Sequence, residues 1–178
     1  MRVGLVALLV ASLLGLGATP VFAVSMDCKP VHGLWTPKGI YQDSELGLRY
    51  RAEFQEYRCS VGGKKEVRVR DNREFFLGLP KGVWLLRYPP SVTVLFVREG
   101  VSEAGRAFAE SLLKRGKVDL LLIHEGVHLS PDATGRARLV LRLRPGGHAL
   151  SVVGEGFPIY RLATILDQFD IGSGKPTP

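Results

Sequence analysis

Val118-Asp119-Leu120-Leu121-Leu122-Ile123-His124-Glu125-Gly126-Val127-His128 is the stretch on which the fold depends, because two periods fit it. As a helix it would stack His124 and His128 on one face, a single turn apart; as a strand it would hold them roughly 13 Å apart along the chain. The residues favour the strand. Val118 to Ile123 is apolar except for Asp119 and has no polar stripe, as in a strand buried on both faces. Gly126 would cost a helix about 1 kcal/mol relative to alanine. The turn cluster Ser130-Pro131-Asp132-Ala133-Thr134-Gly135 would then cut the helix short.

The neighbouring segments extend the same logic. Val92-Thr93-Val94-Leu95-Phe96-Val97 is another short apolar run rich in β-branched residues, so it predicts a second buried strand that helices must cover. Between the two runs, Ser102 is a good N-cap and Glu103 suits the positive helix end. Ala104, Ala107, Phe108, Ser111 and Leu112 mark one face, and Gly116 stops the helix. Downstream, Leu139, Leu141 and Leu143 alternate with Arg138, Arg142 and Arg144 in a predicted strand. Pro145-Gly146-Gly147 turns into a further strand over Ala149 to Val153. A last helix is predicted over Pro158 to Phe169, with Ile159, Leu162, Ala163, Leu166 and Phe169 on its apolar stripe.

The first half reads differently. Pro30, Gly33, Pro37 and Gly39 break up Asp27 to Ser44, which predicts an irregular lead-in plugged by Trp35 and Tyr41. Leu46, Leu48, Tyr50, Ala52 and Phe54 then alternate with Arg49, Arg51, Glu53 and Gln55, predicting a strand with the second set facing water. Gly62-Gly63 signals a hairpin, with Val67 and Val69 alternating against Glu66, Arg68 and Arg70 on the return. Val83-Trp84-Leu85-Leu86 fits either a strand or a buried loop, and Trp84 and Tyr88 read as core or loop plugs.

Together these elements predict an α/β (α+β) protein: a mixed sheet with two covering helices and an N-terminal β-hairpin region. The order strand, helix, strand, strand, strand, helix over residues 91–170 resembles a thioredoxin-like domain. Pro145-Gly146-Gly147-His148-Ala149-Leu150-Ser151-Val152-Val153-Gly154 and the helix after it resemble that family's closing hairpin and helix. The family's Cys-x-x-Cys is missing where Glu99 to Ser102 stand, and its proline is missing where Arg136-Ala137-Arg138 stand. With no thiolate at the helix start, the resemblance implies a degenerate domain without oxidoreductase activity, used for interaction or assembly.

Residues 1–23 carry the marks of a secretory signal peptide: Met1-Arg2, an apolar run from Val3 to Gly17, and a small-residue exit ending at Ala23. The organisation expected is then 1–23 leader, 24–90 hairpin and loop region, 91–171 α/β region and 172–178 flexible tail. Membrane contact is expected only through the leader before cleavage. In an exported chain, periplasmic or secreted, Cys28 and Cys59 are most simply one structural disulfide. The net charge of +7 is concentrated in Arg49, Arg51, Arg58, Lys64, Lys65, Arg68 and Arg70, and in Arg136, Arg138, Arg142 and Arg144. Both groups alternate with apolar or neutral residues, which predicts the wet faces of strands. Export and the lack of interleaved aromatics argue against nucleic acid.

His124-Glu125-Gly126-Val127-His128 matches the HExxH signature of zinc metallopeptidases, in which helical histidines chelate zinc and the glutamate activates a water. On that reading His124 and His128 are zinc ligands, Glu125 is the general base, and Glu155 or His148 completes the site. On the strand reading the match is accidental and no cofactor is implied. Length, export and the lack of a complete catalytic set favour a non-enzymatic binding or assembly-accessory protein of the cell envelope or secretion machinery. Its partner would be another envelope protein.

Overall fold

The computed structural model describes residues 26–61, 63, 65–90, 92–144 and 149–153, together with Leu162, Ile165, Phe169–Asp170 and Lys175–Pro176. The proposed leader, His148, Glu155, and most of the residues expected to form a closing helix and a tail lie outside the described residues; Phe169, expected on that helix, stands in a short strand. Among those described, nine strands form one mixed sheet. They are β1 (Met26–Pro30), β2 (Thr36–Asp43), β3 (Leu48–Val61), β4 (Lys65–Phe76), β5 (Val83–Tyr88), β6 (Val92–Val97), β7 (Leu120–His124), β8 (Leu139–Leu143) and β9 (Ala149–Val153). The order is β1-β3-β4-β5-β6-β7-β8-β9, with β2 beside β1 on the same edge of β3. Two short strands, β10 (Phe169–Asp170) and β11 (Lys175–Pro176), pair separately.

The strands from β1 to β6 pair antiparallel, β6-β7-β8 are parallel, and β9 returns antiparallel. A parallel pair requires a crossover, and helix α1 (Glu103–Lys114) provides it between β6 and β7. The short helix α2 (Pro131–Thr134) forms at the Ser130 turn cluster and leads into β8. The Ser102 hydroxyl accepts the Gly105 N–H at 3.1 Å, and Gly116 ends α1 at φ +65°. The buried stripe of α1 is Gly105, Ala109, Leu112 and Leu113. Ala104, Ala107 and Ser111 face water, so the expected face is displaced by one position. Glycine at 105 explains the displacement: a Cβ there would sit 3.0 Å from the Lys81 carbonyl, so only glycine lets the helix settle on β5.

The sheet has a core on each face. On the α1 side, Phe76, Leu85, Leu95, Val97, Leu121 and Ile123 pack beneath the helix. On the other side, Trp35, Leu86, Tyr88, Phe96, Leu122 and Leu141 pack with Ile165. Alternate residues of β6 and β7 enter opposite cores, which is why those runs carry no polar stripe.

Three expectations for the first half are corrected. The lead-in is two edge strands, because proline and glycine are tolerated at a sheet edge: Pro30 ends β1 and Pro37 sits beside a register shift in β2. Trp35 is buried as a plug, but Tyr41 is exposed at 51% and only leans on Tyr50, with ring centroids 5.7 Å apart. Glu53 and Gln55 do not face water. They lie at 3% and 8% exposure on the face covered by the loop between β1 and β2.

Candidate functional site: a cationic arm

β3 and β4 are the longest strands, and they outrun the sheet. Their register is continuous from Tyr50↔Phe76 to Val61↔Lys65, whereas β5 meets β4 only at Glu74↔Arg87 and Phe75↔Leu86. Beyond that point the hairpin continues as an arm joined, among the described residues, by the start of β2, which pairs with Glu53 and Phe54, and by β1, which pairs with Tyr57 to Val61 of β3. The Cys28–Cys59 disulfide fastens β1 to the arm between directly opposed residues. A disulfide of this kind belongs with an oxidising, non-cytoplasmic environment. Among the described residues no helix is long and apolar enough to cross a membrane.

The arm is anchored through its odd-numbered face. Arg73 Nε donates to Glu53 Oε2 at 2.7 Å, and the Arg73 guanidinium lies over Trp35 at 4.1 Å. Arg51 forms a second ion pair with Glu53. Gln55 Nε2 donates to the His32 carbonyl at 3.1 Å and accepts from the Tyr57 hydroxyl at 2.9 Å. Tyr88 is fully buried in the same layer, and burial pushes its phenol well above the ordinary range. The loop Val31 to Trp35 is thereby held across the base of the arm.

The even-numbered face emerges from beneath α1 and is open to water. Its cross-strand rows follow from the register. Lys29 lies opposite Arg58, and Arg58 opposite Arg68, so one row carries three exposed cations on adjacent strands about 4.8 Å apart. The next row inward sets Glu56 against Arg70, and the row beyond that sets Phe54 against Asn72. Arg70 stacks over the Phe54 ring at 4.0 Å, and Lys38 donates to Asn72 at 2.8 Å. Glu66 approaches Arg58 at 3.6 Å from the tip. Like charges placed directly opposite destabilise a sheet. Here the disulfide one residue away holds that arrangement in place.

The HExxH residues stand elsewhere, at the carboxyl ends of the parallel strands. His124 ends β7, Glu125 and Gly126 form a turn with Gly126 at φ +90°, and His128 follows in irregular backbone. No helix joins the two histidines. His124 is 8% exposed; its Nδ1 lies 3.1 Å from the Glu125 carbonyl and 3.7 Å from Glu99 Oε2. Glu125 and His128 face water. Glu155 and His148 lie outside the described residues, and among the described residues no three His, Cys, Asp or Glu side chains converge as a metal-ligand set. An open depression of about 450 Å³ near Glu99 is lined by Lys81, Trp84 and Arg98.

Comparison with protein-family models, curated proteins and solved structures finds no match.

The alternation of Arg68 and Arg70 in the sequence already pointed to a wet face. The opposition of Lys29, Arg58 and Arg68 did not show, because Lys29 sits in a segment whose prolines and glycines hid the strand that places it.

Proposed function

We propose that the protein is an exported, non-enzymatic binding module of the cell envelope or secretion machinery, and that the arm is the part that binds. The observation that carries this reading is the row Lys29, Arg58 and Arg68, aligned across three strands on an exposed face beyond the body of the sheet. Two of the three are arginines, whose planar fork meets carboxylate or phosphate with two hydrogen bonds. A bound anionic partner would relieve the repulsion within the row, so binding and local stability favour the same state. The chain's net charge of +7 steers acidic partners toward it.

The test is binding of fluorescent poly-glutamate to the chain from Val24 onward, beside a Lys29→Glu, Arg58→Glu variant. Binding should weaken steeply with salt, and the variant should bind at least about tenfold more weakly while unfolding at a similar urea midpoint. Equal binding by the two proteins would remove the arm from the function.

A further inference from the structure

We infer that the arm takes its partner by strand addition: an extended segment alternating acidic and apolar residues pairs with the open edge of β4 between Glu66 and Arg70. The inference rests on the binding role proposed for the arm and names the partner's chemistry.

The backbone shows which groups the edge offers. The Leu77 N–H donates to the Arg49 carbonyl at 2.8 Å, so odd-numbered residues of β4 turn their amides toward β3. On the other side of β3 the Val31 N–H donates to the Glu56 carbonyl at 2.8 Å, which agrees with the same alternation. Glu66, Arg68 and Arg70 therefore aim their N–H and C=O groups outward. Nearer the body the edge is used up: the Asn72 N–H donates to Asp71 Oδ1, and Glu74 pairs with β5. Among the described residues nothing pairs with the edge from Glu66 to Arg70.

The side chains along this edge fix what can pair with it. Arg68 and Arg70 project on the cationic face, so the residues opposite them would be acidic and two apart. Val69 projects on the other face and is 38% exposed, so the residue between the two acids would be apolar. A second copy fits poorly, because two-fold antiparallel pairing of the edges would set Arg68 against Arg70 of the other copy when centred on Val69, or the two Arg68 side chains against each other when centred on Arg68. A bilayer surface is disfavoured because cross-strand pairing requires a segment with its own free amides.

The probe is a synthetic peptide of about seven residues alternating Glu and Val. Its controls are the Lys and Val counterpart and the Glu and Val peptide N-methylated at alternate amides. Strand addition predicts at least about tenfold slower amide exchange at Glu66, Arg68 and Arg70 with the acidic peptide, and at least tenfold weaker binding by the N-methylated one. An Arg68→Glu, Arg70→Glu variant should reverse the preference toward the Lys and Val peptide, which also shows that the variant is folded.

Equal binding of the methylated and unmethylated peptides, or binding without amide protection, would overturn strand addition while leaving the arm's anion binding intact. Protection that rises with protein concentration alone would make a second copy the occupant and overturn the partner named here. Protection produced by phosphatidylglycerol vesicles and not by the peptide would overturn it in favour of a membrane. Failure of every acidic probe, poly-glutamate included, would overturn both this inference and the binding role beneath it.

Discussion

Glu53 and Arg73 face each other across β3 and β4 with Oε2 and Nε 2.7 Å apart and only 3% and 1% of their side chains exposed. The pair lies where the arm leaves the body, with the guanidinium covered by Trp35. Removing one partner of a buried pair typically costs about 3–5 kcal/mol where the remaining charge is left uncompensated, and Arg51 still pairs with Glu53 once Arg73 is gone, which softens the loss of Arg73. Glu53→Ala should lower the unfolding free energy from urea titration by that order, and Arg73→Ala by somewhat less. A double replacement by apolar residues of similar volume, Glu53→Leu with Arg73→Met, should recover most of the loss. Single variants as stable as the parent would mean that the pair does not anchor the arm.

The disulfide should matter to the arm far more than to the body. A cross-link between residues 31 apart contributes about 3–4 kcal/mol by the chain-entropy account. With Cys28→Ser and Cys59→Ser, amide protection should fall in β1 and the distal parts of β3 and β4 and persist in β6 and β7. Poly-glutamate affinity should drop as well, because Lys29 leaves the cation row. Protection lost evenly through the sheet would show one cooperative unit with no separable arm.

How much of this could be read in the sequence depended on which residues were buried. β6, β7 and β8 were legible because their burial is apolar: Val94 and Leu120 enter one core, Leu95 and Leu121 the other. α1 was legible through Ser102 and Gly116, although its buried face was misplaced by one because Gly105 is buried for closeness to Lys81 and not for hydrophobicity. The face of β3 at Glu53 was read the wrong way round. Alternation treats a charge as a mark of exposure, and Glu53 is charged and buried because Arg73 lies opposite it. That partner belongs to another strand, so no local window contains the signal. The cation row was hidden for the same reason, since it exists only once β1, β3 and β4 are in register.

Asp43 links β2 to β5 and gives the fold a dependence on acid. Burial alone would raise its pKa, but the Leu46 N–H, the Arg87 guanidinium and the charge of Lys117 together hold the carboxyl below its ordinary 3.8. A depressed folded-state pKa contributes stability that is present above the unfolded value and is lost as pH falls through the folded value. The protein should therefore lose stability progressively below about pH 4, and Asp43→Asn should flatten that part of the curve while lowering stability at pH 7. Urea titrations of both proteins between pH 2.5 and 7 would measure it. Parallel curves would show that Asp43 and Arg87 are not coupled.

Gly126 separates the two readings of the HExxH stretch with a single methyl group. At φ +90° it stands in backbone that L-residues with side chains rarely adopt, and an added Cβ would meet nothing closer than 4.0 Å, so backbone strain alone decides the outcome. Gly126→Ala should destabilise the turn by about 1 kcal/mol or more. In a zinc-binding helix the same change would stabilise by about 1 kcal/mol, since alanine is the better helix former. Zinc content of the parent and of a His124→Ala, His128→Ala variant, measured by elemental analysis after dialysis, reads the same question chemically. The strand and turn geometry predicts no zinc that the double variant loses, and Glu125→Gln should leave poly-glutamate binding unchanged. A stabilising Gly126→Ala together with one zinc per chain lost in the double variant would make the stretch a metal-binding helix and move the function from the arm to the strand ends.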